Sequence, residues 1–263
     1  MSESVALTRR GAVAEISLNR PAVHNAFDAR LIAGLTKALS AIGHDADVRV
    51  VILTGCGASF SAGADLHWMR GMAQASEAEN RDDALALATL MRTLQFLPQP
   101  TIARVNGAAY GGGVGLVACC DLAIVADETK FGLTEVKLGL VPAVISPYVV
   151  AAIGLREARR LFTTGMTFDA REALRIGLVH EVTAAADLDA AVERQIALLL
   201  KAGPVATRAA KALALRMAGL TLETQTAIDA ENAALIARLR VSPEGQEGLG
   251  AFLEKRPPAW MGA

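Results

Sequence analysis

The stretch VNGAAYGGGVGLVACCD, residues 105–121, joins a glycine-rich turn to an apolar run that carries no charge before Asp121. The segment before it, PTIARVNG at 100–107, and the segment after it, DLAIVAD at 121–127, both have the composition of strands. Glycine permits positive φ and a close approach of a ligand to the backbone, and a helix that begins after such a turn has N–H groups without partners. The stretch therefore predicts strand, turn, helix and strand in order, with a helix N-terminus that can hold negative charge.

A second glycine turn, TGCGASFSAGADLHWM at 54–69, follows the strand-like run VRVVILTG at 48–55. Neither turn has the spacing of a nucleotide-binding loop, and GASFSAG does not match the pattern of a nucleophilic serine at Ser61. Tight turns and close helix packing are the alternative use of these glycines. The functional interpretation that remains is a pair of backbone N–H donors, one from each turn, suited to an oxyanion.

The same order of strands and helices recurs along the first 155 residues, which predicts an α/β core with largely buried sheets. Strands are expected in VALTRRGAVAEISL at 5–18, and helices in DARLIAGLTKALSAIGHD at 28–45 and ASEAENRDDALALATLMRTLQFLP at 75–98. The segment Leu138–Leu155 is free of charge, but its prolines and glycines favour a buried strand, loop and helix over a membrane span. Beyond it, helical periodicity dominates, so the last part of the chain is predicted to be helical.

The composition argues against several classes of function. The 263 residues are 52% hydrophobic and 20% charged with a formal net charge of -1, so there is no basic surplus for binding nucleic acid. Cys56, Cys119 and Cys120 lack the spacing of metal ligands, the histidines are widely separated, and we expect no metal site. The sequence shows no signal-like apolar core near residue 1, so a cytoplasmic location is expected.

Five ordered blocks resemble the crotonase, or enoyl-CoA hydratase/isomerase, superfamily over nearly the whole chain. They are FSAGADL (60–66), VNGAAYGGGVGLVACCDLAIV (105–125), KFGLTEVKLGLVP (130–142), ARRLFTTGMTFDAREALRIGLVHEV (158–182) and FLEKRPPAW (252–260). A finer similarity, in FSAGADLHWMRGM and LGLVPAVISPYVVAAIG, is to the bacterial methylglutaconyl-CoA hydratases of leucine catabolism.

The resemblance implies a fold, an assembly and a substrate class. It implies a crotonase-like α/β spiral of ββα units over residues 1–200, with a C-terminal helical oligomerisation segment over 201–263. It further implies homotrimers or homohexamers, and an acyl-CoA thioester as substrate. Coenzyme A then enters as part of the substrate, and no separate cofactor is expected.

The family's catalytic groups map onto three positions of this sequence. The backbone N–H groups of Ala64 and Gly112 match the oxyanion donors, and a side chain at Gly112 is expected to crowd the thioester. Glu135, in GLTEVKLG, matches the second of two glutamates that hydratases typically use, and its apolar neighbours predict a raised pKa. The first glutamate falls on Gly115, so a single carboxyl is left for proton transfer.

Further residues are expected to contact the substrate because they match family segments that border the acyl group or coenzyme A. The predicted substrate-binding residues are Ala62, Asp65, Leu66, His67, Tyr148 and Lys255. By the resemblance, His67 or Arg70 is expected to meet a distal carboxylate or a phosphate, and Lys255 and Arg256 to reach the phosphates of coenzyme A; a solvated position is the alternative for each. Trp68 and Met69 are expected in the pocket wall. Ser146, Tyr148 or the substrate's own distal carboxylate is a candidate for holding water.

The predicted activity is hydration of an enoyl-CoA, with 3-methylglutaconyl-CoA or a similar branched thioester as the expected substrate. Since one glutamate can also move a proton between two carbons, a Δ3,Δ2-enoyl-CoA isomerase is the first alternative. A thioester hydrolase or decarboxylase on the same fold is the second. RNA binding, known for a superfamily relative, would require a basic stripe that the even charge composition does not suggest.

Overall fold

The computed structural model describes residues 4–262, which contain ten strands and ten α-helices. The strands are β1 Val5–Arg10, β2 Val13–Leu18, β3 Val50–Gly55, β4 Ser59–Ser61, β5 Thr101–Val105, β6 Ala108–Tyr110, β7 Leu122–Ala126, β8 Lys130–Gly132, β9 Thr167–Asp169 and β10 Glu181–Thr183. The helices are α1 Ala29–Gly43, α2 Leu66–Gln74, α3 Glu77–Gln95, α4 Gly112–Cys119, α5 Ser146–Thr164, α6 Ala170–Arg175, α7 Leu188–Lys201, α8 Pro204–Met217, α9 Leu222–Val241 and α10 Pro243–Leu253.

The strands form two sheets. The larger has the order β1-β2-β3-β5-β7-β10 and is parallel except for the β1–β2 hairpin, which turns at Gly11 with φ +59°. The smaller has the order β4-β6-β8-β9, with only the last pair antiparallel. Three successive strand pairs, β3/β4, β5/β6 and β7/β8, each place one strand in each sheet and then continue into helix. The predicted α/β fold of repeated strand, strand and helix is confirmed.

Both faces of the larger sheet are buried, which accounts for the unbroken apolar run of β3. Val50 and Ile52 pack against α7, whereas Val51 and Leu53 face the main core that α1 and α3 help to form. Because successive residues of a strand point to opposite faces, a strand covered on both sides shows no polar alternation. The composition of 48–55 therefore predicted the burial correctly, although the strand begins two residues later, at Val50.

The ends of the long helices are set by polar caps that the sequence made recognisable. The Asp28 side chain accepts a hydrogen bond from the Leu31 N–H at 2.7 Å and begins α1, as predicted. Ser76 and Glu79 form a reciprocal capping box that begins α3. Each satisfies N–H groups that the first turn of a helix leaves without partners.

The secondary-structure prediction differs from the structure in two places. β9 and β10 were not predicted, because the segments on either side show helical periodicity and each strand has only three residues, too few for a readable alternation. The segment Leu138–Leu155 contains no strand: it consists of the end of a 3-10 turn, a loop and the first part of α5. Within residues 4–262, no helix has the length and apolar composition needed to cross a membrane.

The last helices fold back over the core. α9 packs along α3, and α10 packs against α2 and the 3-10 turn Glu135–Leu138. An ion pair between Arg92 of α3 and Asp229 of α9 ties the two layers together, and Gln225 donates to the same carboxylate at 2.7 Å. The Asp229 side chain is only 1% exposed, so it depends on these partners. The expected division of the chain at residue 200 stays a prediction.

We expect Arg92→Met to lower the free energy of unfolding by about 3–5 kcal/mol, because it leaves the Asp229 carboxylate buried without a counter-charge. Urea unfolding followed by circular dichroism measures the loss. Arg81→Met, at an exposed position of α3, is the control and should change stability by less than about 0.5 kcal/mol. The double variant Arg92→Met/Asp229→Asn should recover part of the loss; no recovery would contradict the assigned role of the pair.

Candidate active site

Three neighbouring parallel strands of the smaller sheet end at one edge of that sheet. β4 pairs with β6, and β6 pairs with β8, so the segments that follow these strands lie side by side. Ala64 follows β4, Gly112 follows β6 and Glu135 follows β8, each within three residues of the strand end. All three line one cavity of about 720 Å³. The topology thus brings together the three residues that the sequence predicted to be catalytic.

The walls of this cavity come mainly from apolar side chains of the C-terminal helices, of α2 and of the loop before α5. Trp68 and Met69 lie in the wall, as predicted. Ala62 also lines the cavity. Ile236 of α9 and Leu249 of α10 also line the cavity, so the helices that fold back over the core form part of its wall. An apolar wall of this kind favours an acyl chain and raises the energy of an unpaired charge.

The N–H of Ala64 is directed away from the backbone that pairs with its segment. Phe27 N–H donates to the Gly63 carbonyl at 2.6 Å, and Asp65 N–H donates to the Phe27 carbonyl at 2.9 Å. In an extended segment, consecutive residues point their N–H groups to opposite sides. The N–H of Ala64 is therefore left for the cavity.

The N–H of Gly112 is available for a different reason. Gly112 is the first residue of α4, so its N–H has no carbonyl acceptor four residues earlier in the helix, and it lies at the positive end of the helix dipole. Gly111 precedes it with φ +48°, a conformation that favours glycine. A Cβ at Gly112 would lie 3.0 Å from the Phe27 ring, so the crowding expected at the thioester falls on Phe27 instead.

Glu135 begins a 3-10 turn with its carboxyl group next to this helix terminus. Its Oε1 lies 3.1 Å from the position that a Cβ of Gly111 would occupy. Its Oε2 is buried and has no hydrogen-bond partner among residues 4–262. Burial raises the pKa of Glu135 to about 7, and the hydrogen bond from its own N–H opposes this only in part. A carboxyl group in this state can both accept and donate a proton near neutral pH.

Gly115, where the first family glutamate would stand, has no room for a side chain. A Cβ there would lie 2.3 Å from Ile145 Cγ2 and 3.2 Å from Met91 Cε. Ile145 comes from the loop before α5, far along the chain, and is itself buried. The space of the missing carboxyl is thus filled by a hydrocarbon side chain, which leaves Glu135 as the acidic residue of the described cavity lining.

Three predicted substrate-binding residues near residue 65 have other surroundings. Asp65 is buried, caps α2 through the N–H of His67, and pairs with Arg20 at 2.9 Å. Burial alone would raise the pKa of Asp65, but the hydrogen bonds from His67 and Arg20 outweigh it and lower the pKa. Leu66 and His67 are exposed and lie outside the cavity lining. The structure therefore gives Asp65 a structural role in positioning the turn of Ala64.

The other two predicted contacts also lie outside the cavity. Tyr148 is 3% exposed, and its hydroxyl is buried without a hydrogen-bond partner in the described part of the chain. Ser146 donates to the Ala143 carbonyl at 2.7 Å and does not line the cavity either. Lys255 is exposed and outside the lining, whereas its neighbour Arg256 is part of it. The structure does not bring Tyr148, Ser146 or Lys255 to the carboxyl of Glu135.

Arg240, in the last turn of α9, lines the cavity and was missed by the sequence analysis. It pairs with Asp83 of α3, and its guanidinium lies over the Trp68 ring of α2. The local sequence does not distinguish Arg240 from Arg238, two residues earlier, whose side chain is exposed. Among residues 4–262, no group of histidine, cysteine and acidic side chains is arranged to hold a metal ion.

Comparison with known proteins gives consistent results over the whole chain. A family model described as enoyl-CoA hydratase/isomerase matches residues 8–263. The crystal structure of an enoyl-CoA hydratase from Shewanella pealeana is similar with a TM-score of 0.80 and 43% identity, covering 98% of this chain and 96% of that one. The crotonyl-CoA hydratase of Syntrophomonas wolfei is 33% identical over 97% of this chain and 96% of its own. The 2,3-dehydroadipyl-CoA hydratase of Escherichia coli is 33% identical over the full length of both.

We expect Gly115→Ala to lower the free energy of unfolding by about 1–3 kcal/mol through its contact with Ile145. In the interior of an unconstrained helix the same change stabilises by up to about 1 kcal/mol, so the sign of the effect is diagnostic. Urea unfolding of Gly115→Ala, Ile145→Ala and the double variant completes the test. The two losses should be non-additive by about 1 kcal/mol or more; additive losses would show that Ile145 does not fill this space.

Proposed function

Because the chain belongs to the enoyl-CoA hydratase/isomerase family, we propose that it adds water across the α,β double bond of an enoyl-CoA thioester. The observation that carries the proposal is the carboxyl of Glu135, unpaired and with a pKa of about 7. It lies in the same cavity as the two free backbone donors of Ala64 and Gly112. These are the groups that an addition through an enolate requires.

In the proposed reaction the thioester oxygen lies between the N–H groups of Ala64 and Gly112. As negative charge moves onto that oxygen, both donors strengthen their hydrogen bonds, and the α4 dipole adds to the effect. Each donor in a comparable site contributes about 3–4 kcal/mol to transition-state stability. The donors are backbone groups held by the strands before them, so little reorganisation accompanies the reaction.

Glu135 handles the proton. As a carboxylate it takes a proton from water, and the hydroxide oxygen forms a bond to Cβ while the double-bond electrons move toward the thioester. The protonated carboxyl then gives the same proton to Cα, and Glu135 returns to its starting state. Water is consumed, and no other group changes protonation. The net reaction therefore needs no second carboxyl at Gly115, where Ile145 fills the space.

The proposed substrate is 3-methylglutaconyl-CoA or a similar branched thioester with a second carboxyl group. Support comes from the loop AVISPY, 143–148, and from the acyl group named for the E. coli relative, which also carries a second carboxyl group. The loop contributes Ala143, Val144 and Ile145 to the cavity wall, so its sequence bears on the shape of the acyl pocket. Coenzyme A is part of this substrate, and the reaction is written without any further cofactor.

A second candidate is Δ3,Δ2-enoyl-CoA isomerisation by the same groups. The observation that favours it is the packing of Ile145 against Gly115, since isomerisation needs one base to move a proton between two carbons and no activated water. A thioester hydrolase or decarboxylase would use the same oxyanion donors with a different product. The mass of the product distinguishes these reactions.

We propose assembly as homotrimers or homohexamers in the cytoplasm. Support for assembly comes from α8. It has no buried residue, and it exposes the apolar side chains of Val205 and Met217, at 80% and 70%. Large apolar side chains exposed on a helix favour contact with another subunit. The three cysteines are free thiols, which agrees with a reducing compartment.

We expect Glu135→Gln to lower kcat for hydration of 3-methylglutaconyl-CoA by about 10²–10⁴-fold, because an amide can neither accept the proton of water nor return it to Cα. Loss of the conjugated thioester absorbance gives the rate, and mass spectrometry identifies the product as substrate plus one water.

Glu128→Gln, in the exposed turn before β8, is the matched control and should retain the rate of the unmodified protein. Thermal melting of both variants checks that they fold. Full activity of Glu135→Gln would overturn the mechanism. Conversion of a 3-enoyl-CoA at unchanged mass, with no water gain on a conjugated substrate, would replace hydration by isomerisation.

We expect kcat/KM to rise with pH through about 7 and then level off. Burial holds the Glu135 carboxyl protonated up to that pH, and only the carboxylate can take a proton from water. Below the midpoint, the rate should fall about tenfold for each pH unit. Initial rates between pH 5 and 9 on one substrate give the profile; a midpoint near the ordinary glutamate pKa would contradict the inferred desolvation.

A further inference from the structure

We propose that Arg240 binds a carboxylate at the far end of the acyl group, so that the site selects thioesters of dicarboxylic acids. The inference rests on the proposed function only in placing an acyl-CoA in the cavity. Arg240 lines the same cavity as Glu135, and its side chain is 13% exposed. A guanidinium withdrawn from solvent in a mainly apolar wall attracts an anion.

Arg240 is held in place by residues of two other helices. Its Nη1 donates to Asp83 Oδ2 at 2.9 Å and to Asn80 Oδ1 at 3.2 Å, both on α3. The guanidinium carbon lies 5.8 Å from the Trp68 ring centroid, and the Trp68 indole N–H donates to Asp83 Oδ1 at 2.9 Å. The cation is thus fixed on one edge and on one face before any ligand arrives.

The opposite edge of the guanidinium is unused. Neither Nε nor Nη2 of Arg240 donates a hydrogen bond to any residue in the described part of the chain. Both nitrogens keep some accessible surface, since neither is among the fully buried atoms that lack a partner. Nε–H and Nη2–H point in the same direction and form the fork that a carboxylate accepts with both oxygens. The geometry therefore offers a prepared two-point contact to a planar anion.

The other cations of the cavity lining do not offer this contact. Arg256 uses both edges of its guanidinium, since Nη1 and Nη2 bind Glu247 at 2.7 and 2.9 Å and Nε binds Glu254 at 2.6 Å. Lys137 is exposed, so its ammonium group stays hydrated. Arg240 is the cation of the lining that combines burial with an unused bidentate edge.

Asp83 engages only the Nη1 edge of Arg240. Burial raises the pKa of Asp83, and the charge and hydrogen bond of Arg240 oppose that rise. The indole N–H of Trp68 binds the other oxygen of the same carboxylate, so Asp83 has no free oxygen directed to the second edge of the guanidinium. An uncharged acyl chain would leave the fork of Arg240 without an acceptor, whereas a terminal carboxylate completes its hydrogen bonding.

Binding of two saturated thioesters tests the proposal without depending on hydration. Glutaryl-CoA carries the distal carboxylate and butyryl-CoA does not, while both carry the same phosphates. Isothermal titration gives the dissociation constants for the unmodified protein, Arg240→Met, Arg240→Lys and the control Arg238→Met. Arg240→Met should weaken glutaryl-CoA binding at least about tenfold more than butyryl-CoA binding, as expected for hydrogen bonds to a charged group.

Arg240→Lys should also weaken glutaryl-CoA binding more than butyryl-CoA binding. The difference should be smaller than for Arg240→Met, because lysine keeps the positive charge and lacks the two-nitrogen fork. Arg238→Met should bind both thioesters like the unmodified protein. If Arg240→Met fails to fold in a melting experiment, Arg240→Lys decides the question alone. Equal losses on the two thioesters, or no loss on either, would overturn the proposal. Failure to hydrate any enoyl-CoA, with selective glutaryl-CoA binding intact, would instead overturn the proposed function.

Discussion

The parallel pairing of β4, β6 and β8 is the constraint on which the candidate site depends. Parallel strands end at the same edge of a sheet, so residues that follow them become neighbours although long stretches of chain separate them. Ala64, Gly112 and Glu135 meet in this way. The turns after β4 and β6 lie close together: a Cβ at Gly63 would be 3.1 Å from the Tyr110 carbonyl oxygen. Gly63 also has φ +84°, a conformation that favours glycine. The glycines of the two turns are therefore conditions for bringing the two loops together.

Local patterns were enough to predict the parts of the fold that depend on local chemistry. The Asp28 cap, the long helices, the buried strands and the helix that follows the second glycine turn each leave a signal within a few residues. β9 and β10 were missed because three residues in a strand carry no period, and their positions depend on partners far away in sequence. The same limit applies to side chains: the packing of Ile145 against Gly115 and the surroundings of Arg240 arise between distant elements.

Residues 64–67 show how a short motif can combine positions with different roles. In the ADLH sequence, Ala64 directs its N–H into the cavity, while the next residue caps α2 and binds Arg20. Arg20 also pairs with Asp28, the cap of α1, at 3.1 Å. The motif resembles a substrate-binding segment, but its charged member holds two helix ends together. Family resemblance points to the segment, and the fold gives the contacts of each side chain in it.

The groups proposed for chemistry and those proposed for recognition belong to different parts of the fold, which meet at one turn. The donors and Glu135 belong to the edge of the smaller sheet, whereas Arg240 and the apolar wall belong to the C-terminal helices. Between them, α10 rests directly on the backbone of the 3-10 turn: a Cβ at Gly248 would lie 2.3 Å from the Leu138 backbone. Because that turn begins with Glu135, the seating of α10 bears on the position of the Glu135 carboxyl as well as on its burial. Packing of the C-terminal helices and the geometry proposed for proton transfer are therefore parts of one structural unit.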